Sequence, residues 1–188
     1  MRLFVAVELA EHVRRAAEDV ARALQRELAD TLRARWIDAA NMHLTVRFIG
    51  HLADDRAAAV LEALRPPVAI TPFTVALGQP GVFPPQGPPR VLWIGLEEGF
   101  PSLKAMHEEC NRRLQPLGLE PENRPYRAHL TVARVKDAPR SSAVAVRNAI
   151  HCVAVPDVRC PIDHATVFES RLSSRGSTYI PLLRTPLL

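Results

Sequence analysis

A chain of 188 residues, 47% hydrophobic and 23% charged, is long enough for one core and too ordinary in composition for wholesale disorder. No apolar run reaches the ~18–20 residues that span a bilayer, and the stretch from Met1 to Glu8 is too short for a signal peptide, so a soluble, cytoplasmic protein with no membrane partner is expected. The net charge is +4 and every basic residue but Lys104 and Lys136 is Arg, whose planar fork suits phosphate oxygens, although GC-rich coding or heat adaptation gives the same bias.

Leu3, Val5, Val7 and Leu9 alternate with other residues, which predicts an opening strand. Over residues 11–35, Val13, Ala17, Val20, Leu24, Leu28 and Leu32 recur at three- and four-residue steps, predicting one long amphipathic helix. Residues 41–50 alternate again, with Leu44, Val46 and Phe48 on one side and His43, Thr45 and Arg47 on the other. A short helix over 54–65 is stopped by Pro66-Pro67. Strands are predicted over 70–79 and 90–97, with the Pro-rich stretch 80–89 between them as a stiff loop beside a groove. Pro101 opens a helix carrying Leu103, Met106, Cys110 and Leu114, which Pro116 and Gly118 end. An alternating strand over 129–135 follows, then a helix near 141–150. Strands near 162–172 and 178–183 close the chain around a turn at 173–176. Strands and helices interleave without a strict βαβ rhythm, so the fold class is α+β with mostly antiparallel strands.

Several chemistries lack their devices. Cys110, Cys152 and Cys160 form no C-x-x-C pair and are odd in number, which suits reduced thiols better than a disulfide framework. His107-Glu108-Glu109-Cys110 resembles half a metal motif, but the second His is missing, so no metal is expected. Neither a phosphate-binding P-loop nor a dinucleotide fingerprint is present, and no cofactor is expected.

The informative feature is a repeat. His43-Leu44-Thr45-Val46 recurs letter for letter as His129-Leu130-Thr131-Val132. Each tetrad opens an alternating strand, so its His and Thr share one face while Leu and Val take the other. A repeat kept only for packing would need only the apolar letters. Two imidazoles with an ordinary pKa of about 6.5 can hold opposite protonation states near neutrality, one as base and one as acid, on either side of a phosphodiester. Thr45 and Thr131 are placed to donate hydrogen bonds to the non-bridging oxygens. Arg127 and Arg47 share the faces of His129 and His43 by residue count, where phosphate binding and an ion pair with a carboxylate are both open. Arg134 falls on the opposite face by the same count. His12, His51, His107, His151 and His164 have no repeated context and read as surface or structural.

These tetrads resemble the signature of the two-histidine phosphoesterase superfamily. Their surroundings are similar to its LigT/ThpR branch, the RNA 2′,3′-cyclic phosphodiesterases also called 2′-5′ RNA ligases. Supporting stretches run from Arg2-Leu3-Phe4-Val5-Ala6 through Phe83-Pro84-Pro85 and Arg124-Pro125-Tyr126-Arg127-Ala128 to Phe168-Glu169-Ser170-Arg171-Leu172, with Ala128 where the family often has Pro. The resemblance implies one two-lobed, pseudo-symmetric domain over 1–188, with helices outside and sheets flanking a groove that His43 and His129 face. It implies metal-independent opening of an RNA 2′,3′-cyclic phosphate to a 2′-phosphate, and reversible 2′-5′ ligation by the same route. His43 is then the acid and His129 the base. Phe48 on the apolar side reads as core, although the family stacks a base on rim aromatics, and Tyr126 is the other candidate stacker. The partner would be an RNA ending in a cyclic phosphate, and the protein a monomer. Alternatives are an enzyme for small cyclic nucleotides or ADP-ribose cyclic phosphate, and a non-catalytic RNA-end binder.

Overall fold

The computed structural model describes residues 1–122, 124–139, 142–173 and 176–188. In chain order, the described residues form β1 (Arg2–Glu8), α1 (Glu11–Glu27), β2 (Arg33–Trp36), β3 (His43–His51), α2 (Asp54–Leu64), β4 (Phe73–Phe83) and β5 (Val91–Glu98). These are followed by α3 (Phe100–Leu114), β6 (Leu130–Asp137), α4 (Ser142–Cys152), β7 (Arg159–Ile162), β8 (His164–Ser173) and β9 (Gly176–Pro186). The strands join in one sheet of order β7-β4-β5-β6-β3-β1-β8-β9, with β2 beside β6, and every pairing between them is antiparallel.

The expected α+β class and two-lobed plan hold. The halves β3-β1-β8-β9 and β6-β5-β4-β7 meet at one residue pair, Leu44↔Leu130, the second letters of the two tetrads. One half takes both chain ends and the other mostly the middle. Helices α1 and α4 pack on the β4–β6 half, and α2 and α3 on the half holding β3 and β9. All bury their apolar stripes against one face of the sheet, where Leu3, Val5, Val7, Leu44, Val46, Leu130 and Val132 join the main core. Burying Leu44 and Leu130 completely stabilises the junction by about 1.5–3 kcal/mol each. Among the described residues, the opposite face buries a small cluster of Phe4, Ala6 and Phe168, backed by Tyr179, and this is the face left to the groove. No described helix is long and apolar enough to cross a membrane.

Three boundaries differ from expectation. Helix α1 stops at Glu27, and residues 33–36 form a strand instead of a last helical turn. Leu28 and Leu32 are still buried, because a turn held by Thr31 and Leu32 amides on the Leu28 carbonyl keeps their helical spacing. Strand β4 runs through Pro80 to Phe83, so only the remainder of the Pro-rich stretch is loop. Pro80 is tolerated where the β4–β5 register slips between Leu77 and Pro80. Strand β7 was not expected at all; its four residues include Pro161 and pair along the edge of β4. Ser141 of the expected fourth helix, and Ser174 and Arg175 of the expected turn, lie outside the described residues.

Candidate active site

His43 opens β3, and His129 immediately precedes β6. A short turn at Ala39–Asn41, capped by the Asp38 carboxylate on the Ala40 amide at 2.9 Å, delivers the chain into β3. The single pair Leu44↔Leu130 brings the two tetrads side by side, close enough for the His129 charge to act on the His43 ring. The His and Thr of each tetrad alternate with the fully buried Leu44 and Leu130 and so take the open face together. The two rings are anchored alike: Nδ1 of His43 lies 2.8 Å from the Asn41 carbonyl, and Nδ1 of His129 lies 2.7 Å from the Arg127 carbonyl. A carbonyl only accepts, so Nδ1 carries the hydrogen in both rings, and Nε2 is the nitrogen left to exchange a proton.

Aromatic rings back both imidazoles. Phe4 (4.9 Å between centroids) and Tyr179 (5.0 Å, edge-on) flank His43, with Phe168 at 6.4 Å. Phe83 (5.1 Å, edge-on) and Trp93 (6.3 Å) flank His129. Phe168 and Phe83 are equivalent in the two halves, paired to Phe4 of β1 and Val91 of β5. Val82-Phe83 and Val167-Phe168 are therefore a second repeat, too short to stand out in the sequence. Burial is the main reason that both histidines fall below their usual 6.5. The carbonyl partners oppose it, the Arg134 charge adds to it at both rings, and His129 adds to it at His43.

An extra residue directly after the Thr of each tetrad changes which side chains reach the groove. On β3, Ala6 pairs with Thr45 but Val5 pairs with Arg47, so Val46 is bulged out of the count. On β6, Trp93 pairs with Thr131 but Leu92 pairs with Ala133, and Val132 is the extra residue. A bulge reverses the alternation beyond it. Arg47, expected on the His43 face, instead turns into the interior at 5% exposure. There its guanidinium binds the Glu120 carbonyl and lies 3.5 Å from the Glu122 carboxylate. Phe48, read as core, stands at 41% exposure across from Phe4, with the Arg2 guanidinium 5.1 Å over its ring. Arg134, assigned by count to the far face, takes the position equivalent to Phe48 on the other half, exposed and on the side of both histidines. The groove rim thus has an aromatic ring on one side and a guanidinium on the other.

The remaining candidates divide. Tyr126 is not an open stacking platform: its ring lies on His107 (4.5 Å, 13°) and its hydroxyl donates to the Thr45 carbonyl at 3.0 Å. Arg127 is exposed, and the group that ties it to His129 is its carbonyl. His107 turns to the Val46 carbonyl, and burial pushes the neighbouring Cys110 thiol up to about 12, so the half metal motif is occupied in packing. Glu8, which the sequence did not single out, pairs with His43 across β1. Burial disfavours its charge, but hydrogen bonds from Arg184, Thr166 and His164 outweigh that and hold its pKa below the usual 4.5.

Comparison with known proteins adds independent findings. A family model described as the 2′-5′ RNA ligase superfamily matches residues 9–173. An Archaeoglobus fulgidus protein named RNA 2′,3′-cyclic phosphodiesterase is 34% identical over 137 residues, covering 72% of this chain and 73% of the relative. A Thermus thermophilus crystal structure superposes with a TM-score of 0.75 at 24% identity, covering 99% of this chain and 97% of the other. E. coli LigT complexed with 3′-AMP gives 0.68 at 22% identity with the same coverage. At those identities the two structures speak for the fold alone.

Proposed function

Because the chain belongs to the 2′-5′ RNA ligase superfamily, we propose that it opens a terminal 2′,3′-cyclic phosphate on RNA to a 2′-phosphate, with His43 and His129 as acid and base. The observation that carries this is the meeting of the two tetrads at Leu44↔Leu130, with two imidazoles whose Nδ1 is fixed by a carbonyl and of which one feels the charge of the other. The names of relatives such as the Archaeoglobus protein support the substrate class.

In the reaction, a water oxygen attacks phosphorus as Nε2 of His129 takes its proton. The bond from phosphorus to O3′ breaks, and Nε2–H of His43 delivers a proton to that oxygen. Each transfer typically contributes about 10²–10⁴-fold. The Thr45 and Thr131 hydroxyls donate to the non-bridging oxygens, and the Arg134 guanidinium offsets their charge. The free rings are biased toward the neutral form; the anionic substrate favours the imidazolium that the acid must be. Phe48, under Arg2, offers its face to a nucleobase. An RNA 5′-hydroxyl in place of water gives a 2′-5′ linkage by the same route: His129 takes the proton of the attacking O5′, the bond from phosphorus to O3′ breaks, and His43 protonates O3′. These steps exchange one P–O bond for another with two proton transfers and call on no metal or nucleotide cofactor. The reading takes residues 1–188 as one domain, monomeric and cytoplasmic.

The test is hydrolysis, with EDTA present, of an oligonucleotide ending in a 2′,3′-cyclic phosphate, with phosphorus NMR to identify the product. A 2′-phosphate is expected, abolished in His43→Ala and His129→Ala while oligonucleotide binding persists. A 3′-phosphate overturns the leaving-group assignment, and binding without turnover favours an RNA-end binder. Preference for a mononucleotide over an oligonucleotide points to a small cyclic substrate.

A further inference from the structure

The strands carrying the tetrads run apart after the Leu44↔Leu130 pair, so each has an edge with no counterpart tetrad strand beside it. Buried carbonyls on such an edge need donors. The β6 edge is closed by backbone. Strand β2 pairs with it from Trp36↔Ala133 to Arg33↔Asp137, and the Ile37 amide donates to the Val132 carbonyl at 2.9 Å. The β3 edge is closed by side chains. Tyr126 Oη donates to the Thr45 carbonyl at 3.0 Å, and His107 Nδ1 lies 2.7 Å from the Val46 carbonyl. Val46 and Val132 are the extra residues of equivalent bulges, so His107 does for one what the Ile37 amide does for the other.

The two side chains hold each other. Nδ1 of His107 must donate to the Val46 carbonyl, and Nε2 accepts from the Asn111 amide at 3.0 Å, one turn along α3. The His107 and Tyr126 rings are stacked at 4.5 Å and 13°. Helix α3 is itself locked into the core through Leu103, Met106, Cys110 and Leu114.

We propose that His107 and Tyr126 are positioning residues for the His43 half of the site, clamping the β3 bulge that sets how His43 and Thr45 face the phosphate. The inference rests on the phosphodiesterase reading above. Neither side chain touches reacting atoms. They act on the carbonyls of Thr45 and Val46, where the β1–β3 register slips and the faces of β3 are decided. The clamp is one-sided, so its loss loosens His43 and spares His129, whose strand is held by β2. The charged groups that act on His43 are Arg134 and His129, and Glu8, tied to Thr166, Arg184 and His164, stands opposite it on β1; the clamp substitutions alter none of these residues. Burial is what lowers the His43 pKa, so admitting water to a loosened β3 raises it.

Tyr126→Phe removes one oxygen and keeps the stacked ring; His107→Ala removes both donor and stack. Imidazole titration by proton NMR on the free protein is combined with oligonucleotide hydrolysis kinetics. In Tyr126→Phe, kcat should fall on the order of tenfold with KM within about twofold, and in His107→Ala on the order of 100-fold, the scale of a small misplacement. The His43 midpoint should rise while that of His129 stays. Wild-type kcat with an unmoved His43 midpoint in Tyr126→Phe overturns the clamp, as does equal movement of both histidines, which marks general loosening. If the wild-type protein hydrolyses no cyclic phosphate, the phosphodiesterase reading fails, while the titration still judges the clamp.

Discussion

Replacing Arg134 by Gln deletes a charge that both tetrad histidines feel. The guanidinium shares their face because Val132 is bulged, and its charge is among the causes, after burial, that hold both imidazoles below 6.5. Gln keeps a polar chain but no cation, and two separate effects follow. A preorganised donor aimed at developing phosphate charge is worth about 10²–10³ in rate, so kcat/KM should drop by at least on the order of 100-fold. Loss of the cation also makes each imidazolium easier to form, so both pKa values rise. In kcat/KM, which reports the free enzyme, both limbs of the bell then move to higher pH. Arg134→Lys keeps the charge without the fork, and should return the limbs to their wild-type positions with only part of the rate. The assay is oligonucleotide cyclic-phosphate hydrolysis followed from about pH 5 to 9 at fixed ionic strength. A rate loss in Arg134→Gln with both limbs unmoved would refute the placement of this charge beside the two rings.

Phe48→Ala should leave kcat near wild type and raise KM for oligonucleotides by roughly 5- to 150-fold, the value of about 1–3 kcal/mol per stacked base; unchanged KM removes Phe48 from the binding rim. Gly81→Ala puts a Cβ inside the Trp93 indole, which packs directly against this glycine. The ring must move, so tryptophan fluorescence should change and stability fall by about 1–3 kcal/mol, with urea unfolding as the check. Stability should also depend on the two histidines. Their folded pKa values lie below 6.5, so the unfolded chain binds more protons, and the protein loses stability as pH falls from about 6.5 toward the lowered values. The double variant His43→Gln, His129→Gln should lose less stability than wild type over that window, and equal losses would count against buried, charge-averse rings.

The tetrads were legible because strand alternation needs only the residues themselves: polar letters at every second position, apolar letters between, in both copies. The same logic found β1, α2 and α3, whose buried stripes lie at regular spacing. It failed where a partner strand sets the count. That Arg47 turns inward and Arg134 outward depends on Ala6 and Val5 pairing with residues two apart on β3, and Trp93 and Leu92 doing so on β6. No local pattern marks Val46 or Val132 as the extra residue. Strand β2 was hidden because Leu28 and Leu32 prolong the helical spacing of α1, and because four residues become a strand only against the edge of β6. Local chemistry along the chain thus determined which polar residues, His43 with Thr45 and His129 with Thr131, share a strand face. The pairing of distant strands decided how those residues converge and which arginine and aromatic join them, since a bulge is a relation between two strands and is written in neither one alone.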